Sequence, residues 1–189
     1  ITLLVDLSGS MRGPKIQETF QAAIVLAEVL NRLSIRTEIL GFNEELYDYQ
    51  LFGKAMSPEV REQMGGMLAE VHTPSAAYND DGWALTQAVE RLQTQKEREK
   101  FLFVLSDGQP VPSAVHSGPE YELSGVIDHI MRTTTIKLIG LGVGPDTGHV
   151  GKFYPYSIAN IGVADMPRLL ADLIREAIEH SDRFDTIRL

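Results

Sequence analysis

The run Ile1-Thr2-Leu3-Leu4-Val5, stopping at Asp6-Leu7-Ser8-Gly9-Ser10, decides how this chain is read. It is short, apolar and without alternation, the pattern of a strand buried on both faces of a parallel sheet. Phe101-Leu102-Phe103-Val104-Leu105 repeats that pattern and stops at Ser106-Asp107-Gly108. Ile136 to Val143 repeats it again and ends in Gly142-Val143-Gly144-Pro145.

Between these runs the apolar spacing changes to three and four. Phe20, Ile24, Ala27, Leu30 and Leu33 mark an amphipathic helix from Ile16 to Leu33, with Pro14 where a first turn tolerates proline. Further helices are expected over Pro58–Val71, weakened by Gly65-Gly66, and over Trp83–Leu92, Tyr121–Met131 and Met166–Ile178. Ile35–Phe42 and Leu46–Phe52 read as strands joined by a short link, hence an antiparallel pair at a sheet edge. His72–Asp81 and Gln109–Pro119 read as loops, and Ser157–Ile161 as a last short strand. Strands alternating with helices predict an α/β fold, with a mostly parallel sheet, one antiparallel edge strand and helices on both faces. One domain is expected over residues 1–180, followed by a polar tail at 181–189.

Composition narrows the function. The chain has 189 residues with 17 basic and 26 acidic side chains, a net charge of −9. That charge disfavours nonspecific nucleic-acid binding and an anionic membrane surface. The absence of cysteine removes disulfides, thiolate metal sites and Cys nucleophiles, and it favours a reducing compartment, the cytoplasm. No stretch approaches the roughly 20 apolar residues of a membrane span. The chain opens inside a strand without an initiator Met or a basic leader, which reads as a domain excised from a longer polypeptide.

In open α/β sheets, ligands bind outside the carboxyl ends of the strands. The residues just after the apolar runs are therefore the candidates. Asp6, Ser8 and Ser10 lie two apart on one turn, where Gly9 lets the backbone bend, so their oxygens can converge. Carboxylate and hydroxyl oxygens suit Mg²⁺ or Mn²⁺ rather than a soft metal. Asp107 offers a second carboxylate, and Asn79-Asp80-Asp81-Gly82 a further amide or carboxylate oxygen. Taken singly, Asp107 reads as a turn residue and Asp81-Gly82 as turn or cap chemistry. The Asp-x-Ser-Gly-Ser run directly after a buried strand is the specific feature.

That run resembles the metal-ion-dependent adhesion site (MIDAS) of von Willebrand factor A (vWA) domains. The resemblance implies a Rossmann-like fold with the site assembled from three loops. It implies metal ligands at Asp6, Ser8 and Ser10, and Asp107 acting through water. Where the family carries Thr-x-Thr-Gly, this chain has Asn79-Asp80-Asp81-Gly82. Asn79 then takes the ligand position and Asp81 the second Thr position, which leaves open which of Asn79, Asp80 and Asp81 meets the metal. Mg²⁺ is the expected ion, and Mn²⁺ or Ca²⁺ fits the same donors.

Five blocks sharpen the resemblance: Ser10-Met11-Arg12-Gly13, Glu38-Ile39-Leu40-Gly41-Phe42, Asn79-x-Asp81-Gly82, Ser106-Asp107-Gly108-x-Pro110-Val111 and Leu138-Ile139-Gly140-Leu141-Gly142-Val143-Gly144. They are similar to the C-terminal domain of CobT, a subunit of aerobic cobaltochelatase. That resemblance implies an interaction module in an enzyme that inserts cobalt into a corrin ring during cobalamin biosynthesis. ATP hydrolysis then belongs to an AAA+ partner, CobS, and the tetrapyrrole to a large subunit, CobN. The implied contact is an acidic partner side chain completing the metal shell, with no catalytic residue in the domain itself.

Two other readings compete. A Mg²⁺-dependent phosphatase of the haloacid dehalogenase type would use Asp6 as nucleophile, but Ser8 stands where its acid/base should be. A generic vWA adhesion module, unrelated to chelation, is the other. Gly53-Lys54-Ala55 is not a P-loop, and Gly140-Leu141-Gly142-Val143-Gly144 lacks dinucleotide-binding spacing. The histidines show no ligand spacing, although His72 and His116 fall in loops expected to rim the site. Arg12 reads as a solvated loop charge or a contact for an acidic partner, and Trp83 as packed on the sheet.

Overall fold

The structure, a computed structural model, describes residues 1–185. Six strands form one sheet: β1 (Thr2–Asp6), β2 (Glu38–Phe42), β3 (Leu46–Gln50), β4 (Phe101–Ser106), β5 (Lys137–Val143) and β6 (Tyr156–Ile161). Their order is β3-β2-β1-β4-β5-β6. β1 pairs in parallel with both β2 and β4, β4 with β5, and β5 with β6. Only β3 runs antiparallel, paired with β2 at one edge. The expected edge pair is thus present, although β2 starts at Glu38, where its register with Thr2 of β1 begins.

Helices cover both faces. They are α1 (Pro14–Arg32), α2 (Pro58–Met64), α3 (Met67–Glu70), α4 (Asp81–Gln93), α5 (Leu123–Thr133), α6 (Val150–Phe153) and α7 (Met166–Glu179). Successive strand residues point to opposite faces, so the buried side chains sort into two cores. Leu3, Val5, Phe103, Leu105, Ile139 and Leu141 pack under α1 and α7. Leu4, Leu40, Leu102, Val104 and Leu138 pack under α4 and α5. Every residue of β1, β4 and β5 is buried, which explains their unbroken apolar runs.

Three differences from the sequence reading have physical causes. The single helix expected over Pro58–Val71 is two, divided at Gly65-Gly66. Glycine weakens a helix interior by roughly 0.5–1 kcal/mol. The helix expected from Tyr121 starts at Leu123, because Pro119–Tyr121 forms a 3-10 turn. The Glu122 carboxylate then caps the helix, accepting from the backbone N–H groups of Ser124 (3.2 Å) and Gly125 (2.9 Å). Finally, the segment read as a polar tail opens with a 3-10 turn, Ser181–Phe184. Phe184 is buried against Phe101 and Tyr156. Residues 186–189 of that segment lie outside the described residues. Among the described residues no helix is long and apolar enough to cross a membrane.

Candidate metal centre

The carboxyl ends of β1 and β4 lie side by side, and the loops leaving them meet the segment that enters α4. Asp6 is the last residue of β1 and fully buried. Its Oδ1 accepts from the Ser8 backbone N–H at 2.7 Å, an Asx-turn that bends the chain out of the strand. Its Oδ2 accepts from Asn79 Nδ2 at 3.0 Å and from Ser106 Oγ at 2.7 Å. One carboxylate therefore ties all three loops together.

The hydroxyls form a chain. Ser8 caps the turn Gly9–Met11 without using its side chain in the cap. Its Oγ lies 2.9 Å from Ser10 Oγ, and Ser10 Oγ donates to Asp107 Oδ1 at 2.6 Å. A hydroxyl has one proton. With the Ser10 proton given to Asp107, Ser8 is the donor to Ser10, and lone pairs of Ser8 Oγ remain for another partner. Asp107 Oδ2 pairs with the Lys15 ammonium.

The second loop is held from two sides. Asn79 makes an isolated antiparallel bridge with Val111, and the Asp80 backbone N–H donates to the Asn43 carbonyl at 3.2 Å. The three candidate side chains here then diverge. Asn79 faces Asp6. The Asp80 carboxylate faces the loop before α5, accepting from Ser113 N–H (2.6 Å), Ser113 Oγ (2.8 Å) and His116 Nδ1 (2.5 Å). His116 also stacks on Trp83, with ring centroids 4.0 Å apart. Asp81 opens α4 and is buried.

Two acceptor atoms in this assembly are buried without a hydrogen-bond partner, Asn79 Oδ1 and Asp81 Oδ2. Orphaned buried acceptors are rare in folded proteins and call for an explanation. The electrostatics agree. Burial pushes the Asp6 carboxyl up to about 6, against its hydrogen bonds from Ser8 and Ser106. Burial, and then the neighbouring Asp6 charge, push Asp81 well above the usual carboxylate range. The buried Tyr154 hydroxyl, also unpartnered, is raised by burial first and then by the charges of Asp81 and Asp6. Its ring packs on Gly140, where a Cβ would lie 2.3 Å from Tyr154 Cδ2.

Among the described residues no three His, Asp or Glu side chains group tightly enough to hold a metal by themselves. The donor set here is mixed: hydroxyls of Ser8 and Ser10, the Asn79 amide oxygen, and carboxylates of Asp6, Asp81 and Asp107. All are oxygen, and oxygen-rich sets of this kind suit Mg²⁺, Mn²⁺ or Ca²⁺. A cation beside Asn79 Oδ1 and Asp81 Oδ2 would satisfy both orphans and lower the mutual repulsion of the acids, so these residues fit such an ion. A cleft of about 660 Å³ opens over the assembly. It is lined by Ser8, Ser10, Arg12, Tyr78, Asn79 and Val111, among others.

Several contributors are outside the sequence expectations. Ser106 belongs to the Ser106-Asp107-Gly108 block, and its hydrogen bond to Asp6 is visible only once β1 and β4 are adjacent. Lys15 has no local signal. His149 Nε2 donates to the Gly108 carbonyl at 2.6 Å and fixes the third loop, also without sequence warning. Of the two histidines expected at the rim, His116 braces the second loop through Asp80. His72 is exposed and does not line the cleft. Arg12 does line it; its Nε donates to the Val71 carbonyl at 2.7 Å. Trp83 packs against the α4/α5 core as expected.

The family described as "Cobalamin biosynthesis protein CobT VWA domain" matches residues 1–50 and 44–174. The uncharacterized protein YojO of Bacillus subtilis is 29% identical over 135 residues, 67% of this chain and 20% of its own length. The chain thus spans about one fifth of that relative. Among solved structures, the mussel byssus protein PTMP1 with a zinc-occupied MIDAS motif aligns at TM-score 0.69 and 13% identity, covering 92% of this chain and 46% of its own. The vWF domain of the pilus tip protein Mfa5 from Porphyromonas gingivalis aligns at TM-score 0.69 and 8% identity, covering 100% of this chain and 96% of its own. A von Willebrand factor type A protein from Catenulispora acidiphila aligns at TM-score 0.68 and 14% identity, covering 94% and 42%. At such identities these likenesses show the vWA fold and nothing further.

Proposed function

The chain belongs to the CobT VWA domain family, and on that premise we propose that it is a divalent-cation-dependent docking module. The observation that carries this reading is the pair of buried, unpartnered acceptors, Asn79 Oδ1 and Asp81 Oδ2, on the loop whose Asn79 Nδ2 donates to Asp6. Mg²⁺ is the ion proposed, with Mn²⁺ and Ca²⁺ satisfying the same donors. Ser8, Ser10, Asn79 and Asp81 would hold it directly, with Asp6 balancing its charge and Asp107 acting through water.

A bound ion would supply a positive centre to which an acidic group could be attracted. The chain's own residues do the rest. Asp6, accepting from three donors, sets the spacing of the loops. Its burial and these hydrogen bonds also make it a poor nucleophile, which weighs against the phosphatase reading. The Asp80–Ser113–His116 contacts hold the loop before α5 against α4. A partner carboxylate entering the cleft would be drawn to that positive charge, so docking would depend on both the cation and the acid.

In the family setting, the partners proposed are an AAA+ ATPase subunit like CobS and a large chelatase subunit like CobN. Docking would couple ATP-driven movement to cobalt insertion into the corrin ring, in the cytoplasm. The domain would bind and position while catalysis occurs on its partners. The test is co-purification with the AAA+ partner with and without Mg²⁺, using the parent chain and Asp6→Ala. The expected result is a complex that needs both Mg²⁺ and Asp6. A complex indifferent to both overturns the reading.

A further inference from the structure

Lys15 stands out because its partner is a carboxylate at the cation site itself. It is the second residue of α1, and its ammonium pairs with Asp107 Oδ2 while lying 3.4 Å from the Ser10 carbonyl. The Asp107 side chain is fully buried and that of Lys15 is 27% exposed. To reach Asp107 the lysine stem crosses Gly144, which has φ +88° and where a Cβ would lie 2.9 Å from Lys15 Cε. A side chain at 144 would obstruct that path as well as strain the backbone.

Both Asp107 oxygens are thereby committed, Oδ1 to Ser10 and Oδ2 to Lys15. A buried carboxylate needs such a counter-charge. The Asp6 carboxylate is near enough to feel the charge of Asp107, whereas Arg12 is turned to the Val71 carbonyl. Lys15 is thus the positive side chain bonded into the hydroxyl–carboxylate chain. The side chain is partly exposed, and a flexible lysine stem can leave as well as enter.

We propose that Lys15 is a built-in cation that tunes this site: it holds Asp107 in place when no divalent ion is bound, and it weakens the binding of that ion. The proposal rests on the reading of the three loops as a divalent-cation site. Two effects act in the same direction. An ammonium close to the ion repels it through Coulomb's law in a partly buried setting. It also keeps Asp107 Oδ2 from turning toward the ion, so that Asp107 stays in the outer shell. Removing the charge therefore strengthens cation binding, while the ion-free protein loses the partner of a buried acid and becomes less stable. A lysine with only a structural part would not produce these opposite changes.

The test is Mg²⁺ titration calorimetry together with thermal melting, on the metal-stripped parent, Lys15→Met and Lys15→Arg. Lys15→Met is expected to melt lower than the parent without Mg²⁺, to bind Mg²⁺ about tenfold or more tightly, and to show the larger Mg²⁺-induced rise in melting temperature. Lys15→Arg, which keeps a charge at the position, is expected to stay near the parent. If the parent binds Mg²⁺ and Lys15→Met binds it equally or more weakly, the role of the lysine is overturned and the cation site stands. If neither protein binds Mg²⁺, the cation site and the role of the lysine fall together.

Discussion

Asp6 accepts from Ser8 N–H, Asn79 Nδ2 and Ser106 Oγ, and it does so in a place where burial disfavours its charge. Its carboxyl is raised from 3.8 to about 6. The folded state therefore holds this proton more tightly than the unfolded state. The contribution to stability is full below the unfolded value of 3.8 and is lost as pH rises through about 6. Asp81 is shifted in the same direction. The metal-free chain is accordingly expected to melt lower at neutral pH than near pH 5, by an amount on the order of 1 kcal/mol from Asp6. Melting curves across that range check this. Asp6→Asn should flatten the slope, and Mg²⁺ at neutral pH should restore the lost stability. The Asp-x-Ser-Gly-Ser run made the convergence of Asp6, Ser8 and Ser10 legible because the contacts that join them to one another, Ser8 N–H to Asp6 and Ser8 Oγ to Ser10 Oγ, are local. Lys15 and His149 were not legible, because they reach the third loop from elements distant in sequence, across contacts that only the folded sheet creates.

At the scale of elements, α4 shows how a short motif positions a site. Asp81 and Gly82 are its first two residues. A Cβ on Gly82 would lie 1.9 Å from the Tyr121 carbonyl oxygen, a backbone atom with nowhere to move except with its whole turn. Gly82→Ala is expected to cost about 3 kcal/mol or more and to displace Asp81, so both the urea midpoint and Mg²⁺ affinity should fall. An unchanged midpoint would show that the turn before α5 yields freely. The glycine in Asn79-Asp80-Asp81-Gly82 thus serves helix–turn contact. β1, β4 and β5 were legible, since burial on both faces leaves an unbroken apolar run. The helix pair at Gly65-Gly66 was half legible: the glycines marked the weak point, and only packing decided that the helix divides there. The turn Ser181–Phe184 was hidden because one aromatic in a polar segment is a weak signal, although Phe184 fills a gap against Phe101.

For the whole molecule, the sheet order β3-β2-β1-β4-β5-β6 brings the ends of β1 and β4 together at its centre. With acids at that edge and a net charge of −9, an acidic partner would be repelled unless a cation stood between them. That is the physical content of the proposed cation-dependent docking module, and the meeting of these loops at the centre of the sheet was legible from the strand ends alone. Which of Asn79, Asp80 and Asp81 faces it was not, because the answer depends on Ser113 and His116 claiming Asp80. The central claim is that one divalent ion sits among these loops. Anomalous diffraction from crystals of the metal-stripped chain soaked in Mn²⁺ tests it most directly. The account predicts one Mn²⁺ peak within bonding distance of Ser8 Oγ, Ser10 Oγ and Asn79 Oδ1, absent in Asp6→Ala. No peak there, or a peak elsewhere on the molecule, would contradict it.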